Sequence, residues 1–311
     1  VTRPWKIVYQ PGPQICGASY GYDPDPSRVV LLDIASGQEV QRIELPTGCG
    51  RTFDLSTDGK RLATGYWYRT PGVDVWDTAN GERIRSFGPS RVGTVLLDRT
   101  SRFVVFHSEK GAWARAVDGD QELRLPPLPG LSEGAFEPNA NVLLLPTLRK
   151  GLVARVAFDP LSLSLVQLDI PSAIHWLRFS PSADACFLIT TDARIHSFDT
   201  SLTKPLWTAS LRKHGVKGHV YVGTYSGDGC HIGITETLLG APHFRTIVLA
   251  PSSGEVTNRI DGVSCSGYPF TGPLVLDEAG RTLDLASGHV EPGPLSSLLD
   301  DLASEPQATS D

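Results

Sequence analysis

The sequence contains no methionine, no apolar run near the roughly 20 residues that a helix needs to cross a bilayer, and no heptad pattern sustained through three turns. A membrane-spanning helix and a coiled coil are excluded, as are sites that use methionine as an axial ligand or a pliable docking surface. Position 1 is Val1, so the natural start is expected to have been removed, and a cleaved signal peptide is compatible with that. The five cysteines, Cys16, Cys49, Cys186, Cys230 and Cys265, are odd in number and never fall in C-x-x-C spacing. Neither a disulfide framework nor a zinc knuckle is indicated, and a reducing, cytoplasmic setting fits them best. A basic excess is lacking too. The net charge of −6 argues against a protein held broadly on nucleic acid by its overall field, although a local basic patch stays open.

Signatures of common chemistry are also missing: there is no P-loop, no G-x-S-x-G elbow, no H-E-x-x-H and no EF-hand loop. The eight histidines do not recur at one repeat position, so no ring of metal ligands forms, and neither metal nor cofactor is expected. His214 and His219 in one loop, with His175 nearby, come closest to a cluster.

What the chain does have is 31 glycines and 24 prolines punctuating short apolar runs. A pattern of apolar, any, apolar, then a small or polar residue before a Gly/Pro/Asp turn occurs seven times, at IVYQPGP, FDLSTDG, VLLDRTS, GAFEPNA, LRFSPSA, GTYSGDG and YPFTGP. Its fourth position falls at Gln10, Ser56, Asp98, Glu137, Ser180, Ser226 and Thr271, with separations of 46, 42, 39, 43, 46 and 45 residues. The mean, about 43, matches a four-stranded propeller blade. Each anchor is followed by a β-rich run such as RLATGYWY or ACFLITT, then by a second turn such as DTANGE or DIASGQE suited to a tight hairpin.

The fold class expected is all-β: a seven-bladed β-propeller over 1–295 with four antiparallel strands per blade. Blades start near 5, 51, 93, 132, 174, 219 and 266, and an acidic tail spans 296–311. Each blade can draw its four strands from consecutive sequence, so a shared closing strand is not needed.

With LRFSPSADACFLIT, TFDLSTDGKRLATG and VDVWDTANGERIRSF as its best copies, the chain resembles WD40-type propellers over roughly residues 5–295. One Trp-Asp pair, Trp76-Asp77, and one Gly-His pair before an inner strand, Gly218-His219, stand where that family repeats them. The resemblance implies a non-enzymatic scaffold for a protein or peptide partner.

In such a ring the connections from first to second and third to fourth strands lie on one face. Those from second to third strand and between blades lie on the other. The first set sums to about −12 and the second to about +5, which favours an anionic partner on the second face. Arg51, Arg69, Arg91, Arg149, Lys150, Arg212, Lys213 and Lys217 contribute there. Tyr20 and Tyr22 in the first blade match Tyr66 and Tyr68 in the second, with Trp67 between, and these aromatics are expected to form a contact patch. Packing between blades is their alternative role.

A different class, a hydrolase of the propeller lactonase type at the channel mouth, rests on fold analogy. Its candidate acid–base group is Asp54, between Phe53 and Leu55, with a structural ion pair, for instance to Arg178, as the other reading. Asp98 and Glu137 are expected instead to cap their turns. The chain is also compatible with being one domain of a longer protein.

Overall fold

The computed structural model describes residues 6–10, 15–20, 27–33, 38–46, 49–66, 72–88, 91–131, 134–239, 243–265, 267–269, 272–277, 281–293 and 296. For 6–20, 27, 49–51, 221, 267–269 and 277 this extends to the backbone alone. These residues form seven four-stranded antiparallel sheets, each built from four consecutive strands. The first sheet runs Lys6–Gln10, Ile15–Tyr20, Ser27–Asp33, Gln38–Leu45, and the second Cys49–Leu55, Arg61–Tyr66, Gly72–Asp77, Arg83–Phe87. The third is Val92–Leu97, Phe103–Ser108, Gly111–Ala116, Glu122–Arg124, and the fourth Ala135–Phe136, Val142–Pro146, Leu152–Phe158, Leu161–Gln167. The fifth is Ile174–Phe179, Ala185–Thr190, Arg194–Asp199, Pro205–Ser210, and the sixth His219–Tyr225, Ile232–Thr237, Phe244–Leu249, Val256–Asp261. Gly267–Pro269, Leu274–Asp277, Thr282–Asp284 and Val290–Glu291 make the seventh. Among the described residues no helix is long and apolar enough to cross a membrane. The tail from 297 onward lies outside them.

In the second to sixth sheets the second strand is buried along almost its whole length because both its faces are covered. Successive side chains on a strand point to opposite sides. In the second sheet Leu62, Tyr66 and Trp76 pack with Val29, Leu31 and Ile43 of the first. Ala63, Val73 and Val75 pack with Val95, Val104 and Phe106 of the third. The same layering joins third to fourth, fourth to fifth, fifth to sixth and sixth to seventh sheets. The core is a series of layers between sheets, and each outermost strand is its sheet's outer edge.

The repeated fourth position has a structural job. Ser56, Asp98, Ser180 and Ser226 are all buried. Each side-chain oxygen accepts a hydrogen bond from the backbone N–H five residues on, at Arg61, Phe103, Ala185 and His231. Three residues after the anchor the backbone turns left-handed, with φ of 71° at Gly59, 61° at Ser101, 59° at Ala183 and 72° at Gly229. Glycine takes that conformation without steric cost, while Ser101 and Ala183 hold it under the constraint of the turn. Asp98 also accepts from the Thr100 N–H, the turn capping expected of it. Glu137 departs from this expectation: its carboxylate reaches the Arg155 guanidinium at 2.9 Å, because a glutamate is one methylene too long to fold back on its own turn.

Carboxylates close these turns. The Ser180 and Ser182 hydroxyls hold the Asp184 carboxyl below its ordinary value of 3.8. At Asp58 and Asp228 burial pushes the other way, but bonds from Ser56 and Ser226 and from the backbone outweigh it. A depressed folded-state pKa supplies stability that is complete above about pH 4 and is lost as pH falls through the depressed value. Acid unfolding is therefore expected to steepen below about pH 4. Asp184→Asn should flatten that limb in pH titrations of urea stability while leaving the neutral-pH slope alone; an unchanged acid limb would remove Asp184 from this role.

Candidate interaction face

Two independent sets of backbone bonds separate the loops into two faces. On one, turns between first and second strands meet turns between third and fourth: Thr78 N–H donates to Lys60 O, Val117 to Arg102 O and Phe158 to Asn141 O, at 2.7–3.1 Å. On the other, connections between sheets meet turns between second and third strands: Gly151 N–H donates to Ser172 O, Thr191 to Ala173 O and Leu211 to Ala193 O, at 2.9–3.0 Å. Lys150 and Ala173 form an isolated antiparallel bridge between two connections of this second kind.

Both faces carry paired and unpaired cations, with more of the unpaired ones on the second. On the first face Arg61 pairs with Asp118 at 3.2 Å and Arg102 with Asp159 at 3.4 Å, each across neighbouring sheets. On the second face Arg91, Arg149, Lys150, Lys213 and Lys217 are exposed, and none of these five side chains forms an ion pair among the described residues. Several carboxylates there are already taken, Asp192 by Arg194 and Glu236 with Asp261 by Arg245, while Glu109 and Asp169 stay exposed. The five cations sit on three separate connections, Arg91 on one, Arg149 and Lys150 on a second and Lys213 with Lys217 on a third, and do not gather into one cluster.

Arg212 has another task. Its Nη1 donates to the Val216 and Gly218 carbonyls at 3.1 Å each, bracing the loop that carries Lys213 and Lys217. That loop is pinned from below by Glu236, a fully buried carboxylate whose Oε2 accepts the Lys217 N–H at 2.9 Å and the Gly218 N–H at 3.0 Å. Gly218 is required by this approach: a Cβ there would lie 1.9 Å from the Thr237 carbonyl oxygen. Glu236 was not singled out from the sequence; its only signal is a carboxylate inside the otherwise uncharged run HIGITET.

Tyr66 does not belong to the proposed aromatic patch. It is 3% exposed in the layer between first and second sheets, and its hydroxyl bonds to the buried Asp74. Its position on the strand turns it toward Val29 and Leu31, so the alternative of packing between sheets applies to it. The Tyr20 and Arg51 side chains, and Tyr22, Trp67, Tyr68 and Arg69 entirely, lie outside the described residues.

Next to the inner strands, Asp54 Oδ2 accepts the Leu97 N–H of the next sheet at 2.8 Å, and Trp176 Nε1 donates to Gly223 O at 2.8 Å. Arg178 stacks on the Trp176 ring at 4.2 Å and donates to Gly134 O at 2.8 Å. These bonds stitch one inner strand to the next. His175 and His219 do meet, edge to face at 5.6 Å, while His214 offers its carbonyl to Arg259. Among the described residues no three metal-ligating side chains gather. Within the second sheet Trp76 Nε1 donates to Thr64 Oγ1 at 2.9 Å.

No protein-family model matches this chain, and no curated protein matches it in sequence. Its fold is similar to the crystal structure of the Cps50 (Swd1) β-propeller domain from Myceliophteria thermophila, with TM-score 0.65 over 94% of this chain and 96% of that one. At 12% identity the likeness carries the β-propeller fold alone.

Proposed function

We propose that the chain is a non-enzymatic scaffold whose seven sheets close into a ring and whose second face binds an anionic protein segment. One observation carries this reading: among the described residues Arg91, Arg149, Lys150, Lys213 and Lys217 are exposed and without carboxylate partners, five cations against Lys60 and Lys204 on the opposite face, where Arg61 and Arg102 are neutralised across sheet boundaries. Unpaired charges fixed on rigid connections raise encounter rates with an oppositely charged partner and cost little reorganisation on binding. From the sequence pattern we include Tyr20, Tyr22, Trp67, Tyr68, Arg51 and Arg69 in this proposal, since aromatic and arginine side chains dominate binding energy at interfaces.

A labelled poly-glutamate peptide, with poly-lysine of equal length as control, tests the electrostatic claim. The chain should bind poly-glutamate with an affinity that falls as salt rises. The combined Arg149→Glu, Lys150→Glu, Lys213→Glu and Lys217→Glu variant should weaken it more than about tenfold. Lys60→Glu with Lys204→Glu, on the opposite face, should leave it within about twofold. Equal binding by both variants, or a preference for poly-lysine, would sink the assignment.

A further inference from the structure

The outer strand of the fourth sheet, Leu161–Gln167, differs from other strands at the same position. It reads LSLSLVQ: seven residues without charge, proline or glycine. Charges mark the outer strands Gln38–Leu45, Arg83–Phe87, Glu122–Arg124 and Val256–Asp261, and Pro205 opens the uncharged Pro205–Ser210. Charge and proline on an edge are how sheets avoid pairing with other chains. Here that protection is missing. The strand pairs along all seven residues with Leu152–Phe158, and among the described residues no strand pairs with its other side. Leu161 and Leu163 pack partly against the layer toward the third sheet. Leu165, on the same side by alternation, is 53% exposed; the third sheet's own outer strand has only three residues, Glu122–Arg124.

We propose that this edge pairs antiparallel with the same edge of a second copy of the chain, about a two-fold axis through Leu163. The sequence selects that occupant because Leu161-Ser162-Leu163-Ser164-Leu165 reads the same in both directions. Antiparallel pairing centred on Leu163 sets Leu161 opposite Leu165 of the other copy, Ser162 opposite Ser164, and Leu163 opposite itself. Apolar meets apolar, hydroxyl meets hydroxyl, and no like charges face each other. A two-fold interface requires such self-complementarity. The product is one continuous eight-stranded sheet, which satisfies the free edge and covers Leu165. The edge lies on the rim of the sheet stack, so dimerisation would leave the cationic face open.

Sedimentation velocity of the full chain across an about hundredfold concentration range should show a reversible monomer–dimer equilibrium. Leu165→Lys, at an exposed position, should weaken it more than about tenfold, with an unchanged thermal midpoint at concentrations where both proteins are monomeric. Register is tested in a background in which exposed Cys230 is replaced, Cys230→Ser. An oxidised mixture of the Ser162→Cys and Ser164→Cys proteins should form an intermolecular disulfide, which neither protein forms efficiently alone. A monomer at every concentration, a dimer indifferent to Leu165→Lys, or equal cross-linking by the single proteins would overturn the proposal.

Discussion

Replacing Asp98 by alanine is expected to cost the fold about 3 to 5 kcal/mol. The carboxylate is fully buried and accepts bonds from the Phe103 and Thr100 N–H groups, the Thr100 hydroxyl and the Asn141 side-chain amide. Asn141 in turn accepts the Arg99 N–H at 3.0 Å, so Asp98 ties the turn of the third sheet to that of the fourth. Alanine leaves these donors without an acceptor, and some of them have no water to turn to. Asp98→Asn retains one acceptor but sets its amide against other donors, so its loss should fall between those of wild type and alanine. Ser180→Ala, which removes a neutral cap at the equivalent position, should cost only about 1 kcal/mol. Urea unfolding followed by tryptophan fluorescence separates these values. A loss below about 1 kcal/mol for Asp98→Ala would mean that the turn closes without its anchor.

The second large effect is expected at Glu236, and here stability and binding separate. Glu236→Ala removes a buried charge that holds two backbone N–H groups and faces Arg245 at 3.3 Å, at a cost of about 3 kcal/mol. Loss of a negative charge near a cationic face should by itself strengthen poly-glutamate binding. The expected result is the reverse, because the loop carrying Lys213 and Lys217 loses the contacts that position it. Amide hydrogen exchange should rise across 211–219, and binding should weaken by several fold. Glu236→Gln keeps an acceptor for the Lys217 and Gly218 N–H groups and should retain most of the binding. Tighter binding by Glu236→Ala would show that the residue acts through its charge and not as a brace.

How much of this was legible depends on how far apart the interacting residues lie in the chain. The anchors Ser56, Asp98, Ser180 and Ser226 bond within five residues of themselves, so their spacing carried both the repeat and the turn. Glu137 occupies the same repeat position, yet its partner Arg155 is two strands away and no local pattern announced it. Tyr66 was misplaced for a related reason. A tyrosine at the end of a strand has the same local appearance whichever side it takes, and the deciding neighbours, Val29, Leu31 and Ile43, belong to another sheet. Charge counting led to a positive second face as an expectation and could not tell which cations of either face are already paired. Arg61 is neutralised by Asp118 and Arg102 by Asp159, each 57 residues further along the chain.

The sequence by itself determined the strand-turn rhythm and the anchor position of each turn, because both follow from residues that are neighbours along the backbone. Only the tertiary structure decided which tyrosine is interior, which loop Glu236 braces and which lysines and arginines stay unpaired. These depend on side chains from separate sheets brought within a few ångströms, and a linear pattern does not encode which surfaces meet when the sheets stack.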